Sequence, residues 1–554
     1  METLEGFTPW PLETAETYRR KGYWQGKTFG ELLHEWADRY GDRQAIVGGE
    51  KRLSYVQLAE KADRLAWQLL HLGIKKNDRV VVQMPNVPEF SYLCFALLRI
   101  GALPVLALPA HREREVSHFV QFSEATAYVI ASTFRDFDYE QMARELKSEA
   151  PTLSHVLVVD EATGSFTASG EPLEESGDMQ EVWEELDRHN PDASDVALFQ
   201  LSGGTSGLPK LIPRTHDDYA YNARESASVC GFGPETRYLA VLPISHNFPL
   251  ACPGLLGTLH VGGTVVMAST PDPETVFPLI ERERVTATAV VPALAIRWMN
   301  SDLLDDYDLS SLELLQVGGS RLNPETAHRI SSTLGCLPQQ VFGMAEGLLN
   351  YTRLDDPDEV IAETQGRPMS PDDEVRIVDP EGNDVAPGEA GELIIRGPYT
   401  LRGYYKAEEK NREAFTPDGF YRTGDIVRWH PSGNLVVEGR DKDLINRGGE
   451  MISAEEVENL ILSHPRVHNV AAVAMPDPVM GEKTCAYVVP KGGETISLEE
   501  MLEFLKGMKV AKYKLPERLE LVESLPLTNV GKIDKKALRE DVTQKLETEG
   551  ALSR

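Results

Sequence analysis

The sequence predicts an α/β protein: a large N-terminal domain of mostly parallel α/β sheets with a small antiparallel β-subdomain, followed by a small α+β C-terminal domain. Three observations carry this. Short Val/Ile/Leu runs, near-continuously apolar as strands buried on both faces must be, alternate with longer helical patterns through most of the chain. From about Gly391 the pattern turns to strands separated by Gly and Pro-Ser-Gly turns, which suits an antiparallel sheet. After "GRDKDLINRGGEMI" a smaller α+β set follows, and 554 residues exceed what one core ordinarily organises.

In chain order, "SYVQLAEKADRLAWQLLHLG" reads as a helix stopped by Gly73, and "DRVVVQMP" as a buried strand. "FSYLCFALLRIGALPVLALP" is broken by Arg99 and Pro104, so it reads as helix, Gly101 turn and strand, not a membrane span. "AYVIAS", "HVLVVD", "RYLAVLP", "GTVVMA" and "TATAVVP" are further buried strands. The acidic Glu161–Asp195 stretch, rich in Gly, Ser and Pro, reads as a solvated surface excursion with room for one short helix. "GELIIRG" and "GFYRTGDIVRWHPSGNLVVEGR" supply the antiparallel strands. The last domain takes a helix over Ser453–Ser463, strands "VHNVAAVAMP" and "KTCAYVVP", a helix over Ser497–Lys506 and a final "GKIDKKALRE". The expected domains are 1–441 and 442–554, divided at Lys442.

Composition narrows the function. A net charge of −31 argues against any broad nucleic-acid or lipid-binding face, which needs clustered Lys and Arg, but leaves room for a small anionic ligand. Cys94, Cys230, Cys252, Cys336 and Cys485 are scattered and form no Cys-x-x-Cys pair, so neither a disulfide framework nor a zinc site is indicated. The acidic N-terminus lacks an apolar signal region, which leaves the cytoplasm as the expected compartment.

"LSGGTSGLPKLIPRTH", between the strand "VALFQ" and an expected helix, is the sharpest local signal. Ser202, Gly203, Gly204, Thr205, Ser206 and Gly207 offer amide and hydroxyl donors, and Lys210 adds a point charge, a combination suited to a polyphosphate though not a Walker A loop. "YRTGD" ends a strand with Asp425, able to accept from two ribose hydroxyls or merely to cap a turn. "FGMAEG" sets Phe342, a face for a purine, near Glu346, a hard oxygen ligand for Mg²⁺; core and surface roles are the plain alternatives. "VGGSRL" lets backbone approach a flat ring. "SHNFPLACPG" reads locally as a strand-to-helix turn with an Asn cap and a core cysteine.

Together these motifs resemble, in order and spacing, the adenylate-forming superfamily of acyl-CoA synthetases, peptide-synthetase adenylation domains and firefly luciferase, from about Leu53 to Leu538. The resemblance implies the adenylate-forming (ANL) fold with a mobile C-terminal domain, ATP and Mg²⁺. It implies that Ser202 to Lys210 hold the β- and γ-phosphates, and that Gly318, Gly319, Ser320, Phe342 and Gly343 line the adenine site. Glu346 becomes the Mg²⁺ ligand, Asp425 and Arg440 the ribose pair, and Lys532 the catalytic lysine. His246 joins the catalytic set, Lys442 is the hinge, and Gly448, Gly449 and Glu450 line a thiol tunnel. Phe342 stands where many members have Tyr, and Met344-Ala345 replaces a common Thr.

Asn247 occupies the position where amino-acid-activating relatives typically carry Asp; an Asn cannot neutralise an ammonium, but its NH₂ can donate to a phenolic oxygen. "SHNFPL" with "FGMAEGLLNYTR" resembles the aryl-acid ligases of siderophore assembly, which implies an aryl pocket of Asn247, Phe248, Cys252, Gly318, Met344 and Leu349. Ser and Val commonly match Cys252 and Leu349 in 2,3-dihydroxybenzoate enzymes, whereas Cys and Leu are usual for salicylate, the expected substrate here. 2,3-Dihydroxybenzoate, related rings such as 6-methylsalicylate or benzoate, and coenzyme A as acceptor stay open. The chain ends soon after Lys532, so the expected acceptor is a phosphopantetheinylated aryl carrier protein in trans, met by a basic patch around Arg447 and Lys506–Lys514.

Overall fold

The computed structural model describes every residue except 1–3, 136, 161, 175–176, 203–208, 441–442, 448–449, 478–479, 509–511, 529–531 and 550–554. The chain divides into two compact units, Met1–Glu374 with Ile395–Tyr421, and Val375–Ile394 with Arg422–Arg554.

The first unit carries two large sheets. In one, strands run in the order Arg367–Pro368, Leu349–Tyr351, Leu337–Gly343, Leu314–Gly318, Ala287–Val290, Arg237–Ala240, Thr264–Met267, Gln44–Gly48 and Lys51–Ser54, parallel from Leu337–Gly343 through Gln44–Gly48. The other is parallel from His155–Val159 through Ala127–Ala131, Arg79–Gln83 and Leu103–Leu106 to Val196–Leu201. Alternation across each strand feeds separate cores. Tyr238 and Ala240 face one apolar cluster while Leu239 faces another, and Val80 and Val82 likewise part from Val81. Both faces are thus covered, which is why these strands read as unbroken apolar runs.

Two expectations need correction. The Glu161–Asp195 stretch contains the helix Met179–Leu186, but Phe166–Ala168 and Glu171–Pro172 also add antiparallel strands to a sheet edge. The stretch Leu201–His216 does run from a strand to a helix, His216–Val229, but it is not all loop: Leu211–Thr215 forms a strand antiparallel to Val196–Leu201.

In the second unit, a four-stranded antiparallel sheet joins Glu374–Val378, Gly391–Arg396, Tyr421–Trp429 and Leu435–Arg440. A further sheet orders Glu450–Ser453, Leu444–Arg447, Gly481–Pro490 and Val467–Asp477, with Arg518–Leu521 pairing parallel to Gly481–Pro490. Helices Ala454–Leu462, Leu498–Gly507 and Lys535–Thr548 complete it, and Ser453 and Ser497 cap the first two through their side chains. Among the described residues no helix is long and apolar enough to cross a membrane.

Candidate active site

The site begins where the hairpin delivers the chain to the helix His216–Val229. Thr215 caps that helix and Asp218 reaches back to its backbone, a complete capping box. Asp218 also receives Arg214 Nε at 2.6 Å; both side chains are fully buried, and burial pushes the Asp218 carboxyl up while the guanidinium opposes it. Such a pair persists only with its other hydrogen bonds met. Arg214 meets them by donating to the carbonyls of Ala345 (3.1 Å) and Tyr399 (3.2 Å) and lying 4.6 Å over the Tyr219 ring. One buried cation therefore ties the hairpin to the segments after both "FGM" and "RGP".

Tyr219, one residue after Asp218, is fully buried. Gln200 Nε2 donates to its hydroxyl at 3.1 Å, and the hydroxyl donates at 2.8 Å to Asn247 Oδ1. A phenol has one proton to give, so this chain has a direction: it fixes the Asn247 carbonyl towards Tyr219 and turns the NH₂ towards Cys252, whose Sγ it meets at 3.3 Å. The expected Asn cap is corrected here. His246 caps the helix Asn247–Ala251 with Nδ1 accepting from Phe248 N–H at 3.2 Å, which leaves the Asn247 side chain to other work. Cys252 is 1% exposed, and burial pushes its thiol up to about 12, so it is a neutral, weakly polar wall.

Across from this helix, Phe248 lies against Gly318: a Cβ there would fall 2.9 Å from Phe248 Cε1 and 2.8 Å from the Val341 carbonyl. No larger residue fits without moving the ring. Leu349 lies against Gly343 in the same manner, with Cδ2 2.4 Å from a hypothetical Cβ. Phe248, Cys252, Val341 and Leu349 share one apolar cluster. Met344 and Phe342 are half-buried beside them, Phe342 O accepting from Asn350 Nδ2 at 3.0 Å, while Gly319 and Ser320 are exposed just beyond the strand end.

At the segment expected to hold the polyphosphate, Ser202 Oγ accepts from Lys210 N–H at 2.9 Å and Ser202 N–H donates to Lys210 O at 3.0 Å. Gly203, Gly204, Thr205, Ser206 and Gly207 lie outside the described residues. Lys210 Nζ stands 5.2 Å over the Tyr404 ring, and the Tyr404 hydroxyl donates to Glu346 Oε1 at 2.8 Å. Burial and the neighbouring Glu346 push the Tyr404 phenol well up, so it stays a donor. The loop lysine and Glu346 therefore meet through one tyrosine.

In the second unit, Asp425 stands opposite Arg440 in the register of adjacent strands, and Thr423 Oγ1 accepts from Asp425 N–H at 3.0 Å. Asp425 does not end its strand as expected. The strand runs on to Trp429 through a register shift after Ile426. Lys532 is exposed, and Thr528 Oγ1 accepts from its N–H at 3.2 Å. Glu450 opens the strand Glu450–Ser453, opposite Arg447 in register; Gly448, Gly449 and Lys442 lie outside the described residues. Within the expected basic patch, Arg447 pairs with Glu517 at 2.5 Å and Lys514 with both oxygens of Glu456.

Gln200, Arg214, Tyr219, Tyr399 and Tyr404 were not singled out from sequence. Only Arg214 left a signal, a charge inside the apolar run "LIPRT" with an acid four residues on.

An AMP-binding enzyme model matches residues 33–405, and an AMP-binding enzyme C-terminal domain model matches 456–532. A 2,3-dihydroxybenzoate–AMP ligase of Bacillus subtilis is 54% identical over 98% of this chain and 99% of its own. A salicylyl-CoA synthase / salicylate adenylyltransferase of a Streptomyces species is 55% identical, covering 99% of each. The apo structure of MbtA from Mycobacterium smegmatis superimposes with a TM-score of 0.72 at 47% identity, covering 97% of this chain and all of that one. The chain belongs to the AMP-binding enzyme family, within the adenylate-forming superfamily.

Proposed function

We propose that this protein activates an aryl acid, salicylate foremost, with ATP to give aryl-AMP and pyrophosphate, then passes the aryl group to the phosphopantetheine thiol of an aryl carrier protein in siderophore biosynthesis. The observation that carries the reading is the orientation of Asn247. The Gln200–Tyr219–Asn247 chain turns its NH₂ away from Tyr219, beside a neutral Cys252, and so offers a donor and no charge. A phenolic oxygen ortho to a carboxylate satisfies that donor; an α-ammonium would find no carboxylate there.

In the proposed reaction a carboxylate oxygen of the acid attacks the α-phosphorus of ATP in line, a P–O bond to that oxygen forms, and the bond to pyrophosphate breaks. Most of the acceleration comes from positioning and charge complementarity. Lys532 offsets the repulsion between the two anions, and Ser202, Lys210 and the loop between them receive the departing phosphates. Glu346 suits Mg²⁺, which takes few protein ligands and completes its shell with phosphate oxygens and water. Tyr404 fixes one carboxylate oxygen and leaves the other for the ion. The metal would neutralise charge on the leaving pyrophosphate.

ATP–pyrophosphate exchange across salicylate, 2,3-dihydroxybenzoate, benzoate and a set of amino acids tests the reading. Salicylate-dependent exchange is expected, abolished in Lys532→Ala with ATP binding retained. Exchange driven by an amino acid and by no aryl acid would sink it. A second reading, 2,3-dihydroxybenzoate as substrate, is favoured by the name of the Bacillus subtilis relative, and coenzyme A as acceptor by that of the Streptomyces one.

A further inference from the structure

The segment Ala345–Leu349 carries both Glu346 and Leu349, and it holds an uncomfortable backbone. Leu348 has φ +63°, a left-handed conformation that costs a side-chain-bearing residue about 1 kcal/mol or more and survives only where its surroundings over-determine it. Three bonds from outside the segment do so. Arg214 donates to Ala345 O, Leu401 N–H donates to Glu346 O at 2.7 Å, and Leu349 N–H donates to the Tyr399 hydroxyl at 2.9 Å.

The last of these is oriented from behind. Tyr399, fully buried, gives its one proton to Asp373 Oδ2 at 2.7 Å, which leaves its lone pairs for the Leu349 amide. Asp373 is itself fixed, since Ser370 N–H donates to the same oxygen at 3.0 Å. The residue is partly exposed as a whole, but its Oδ1 is closed off from solvent against Gly397. A carboxylate therefore determines which way a phenol donates, and the phenol determines where the Leu349 amide sits.

We propose that Tyr399, oriented by Asp373, is a specificity-determining positioning residue: by anchoring the Leu349 amide next to the left-handed Leu348 it sets the Leu349 side chain against Gly343 and so fixes the depth of the aryl pocket. Neither residue touches substrate on this view; both act through Leu349. The inference rests on the proposed reading of Leu349 as pocket wall.

The test is the ratio of kcat/KM for salicylate over 2,3-dihydroxybenzoate in ATP–pyrophosphate exchange. Tyr399→Phe leaves a buried N–H without an acceptor, and the ratio should move towards unity by about ten-fold, with the KM for ATP little changed. Asp373→Asn keeps an acceptor oxygen for Tyr399 and should keep the ratio, whereas Asp373→Leu should reproduce the Tyr399→Phe effect and serves in its place if that variant does not fold. Because the effect runs through Leu349, Tyr399→Phe in a Leu349→Ala background should move the ratio by less than two-fold. A folded Tyr399→Phe, or Asp373→Leu, that is less heat-stable yet equally selective would reduce Tyr399 to a structural residue and overturn the inference alone. A wild-type protein without exchange on any aryl acid would overturn both it and the proposed function.

Discussion

The double substitution Cys252→Ser with Leu349→Val bears most directly on how the pocket reads its ligand. In the native wall Cys252 Sγ accepts from the Asn247 NH₂ at 3.3 Å and donates to Asn247 O at 3.4 Å, which occupies the weak capacity a thiol has. A ring hydroxyl buried against it goes unpaired, at a cost of about 1–3 kcal/mol. A serine hydroxyl supplies the missing donor and acceptor. Leu349→Val removes one methylene, worth about 0.8 kcal/mol of burial against any ring, and opens room beside Gly343. Because the lost methylene weakens every ring alike, the discrimination comes from the serine: about 1–3 kcal/mol in favour of a 3-hydroxyl, which at 1.4 kcal/mol per decade is about five-fold or more. We therefore expect the salicylate to 2,3-dihydroxybenzoate ratio of kcat/KM to fall by about five-fold or more, with salicylate itself losing about four-fold through the smaller wall. Leu349→Val should also cost about 1 kcal/mol of stability, so a thermal melt must accompany the exchange assay. A folded double variant whose ratio moves by less than two-fold would refute the assignment of Cys252 and Leu349 to the pocket.

Three further outcomes follow from the same geometry. Tyr219→Phe leaves Asn247 Oδ1 unpaired and free to turn, so the KM for the aryl acid should rise about ten-fold while ATP binding, followed by calorimetry, stays unchanged. Cys252, with its thiol pushed up to about 12 by burial, holds about one thiolate in ten thousand at pH 8; it should resist iodoacetamide in the native protein and react on unfolding, as mapped by peptide mass spectrometry. Burial, with Asp372 adding to it, raises the Asp373 carboxyl to about 7 from 3.8, against the opposing bonds from Tyr399 and Ser370. The folded state then holds the proton more tightly, so this group's contribution is fullest below pH 4 and is lost as pH rises to about 7. Urea midpoints should show wild type losing ground to Asp373→Asn across that window; parallel pH profiles would contradict it.

What was legible in the sequence follows a physical line. Strands such as Arg79–Gln83 and Ala127–Ala131 announce themselves because burial on both faces leaves no polar position to blur the run. Leu211–Thr215 did not, since Pro213 and Arg214 read as a loop; the strand is fully buried only because Arg214 finds Asp218, Ala345 O and Tyr399 O, the last two more than a hundred positions away. Part of the apparent basic patch shows the same effect in reverse. Lys514 looks free in a run of lysines until the fold brings Glu456 to it. Local sequence reports what a residue is; whether its charge or its donor remains available is decided by partners distant in the chain.

That distinction bears on the aryl pocket most of all. On the proposed reading its wall is neutral: an amide, a protonated thiol and a buried phenol, with the Arg214 charge consumed by Asp218. A neutral wall distinguishes ring substituents through hydrogen bonds made or left unmade, each worth about 1–3 kcal/mol. It distinguishes an ammonium far more severely, because a buried cation without a carboxylate costs much more than an unpaired hydroxyl. Those three side chains would therefore reject amino acids firmly and rank salicylate against its hydroxylated relatives only by one or two orders of magnitude. Relatives of near-equal identity named for either acid fit a boundary that shallow. On that reading the firm exclusion would reside in the orientation of Asn247, which Tyr219 holds from the helix behind it.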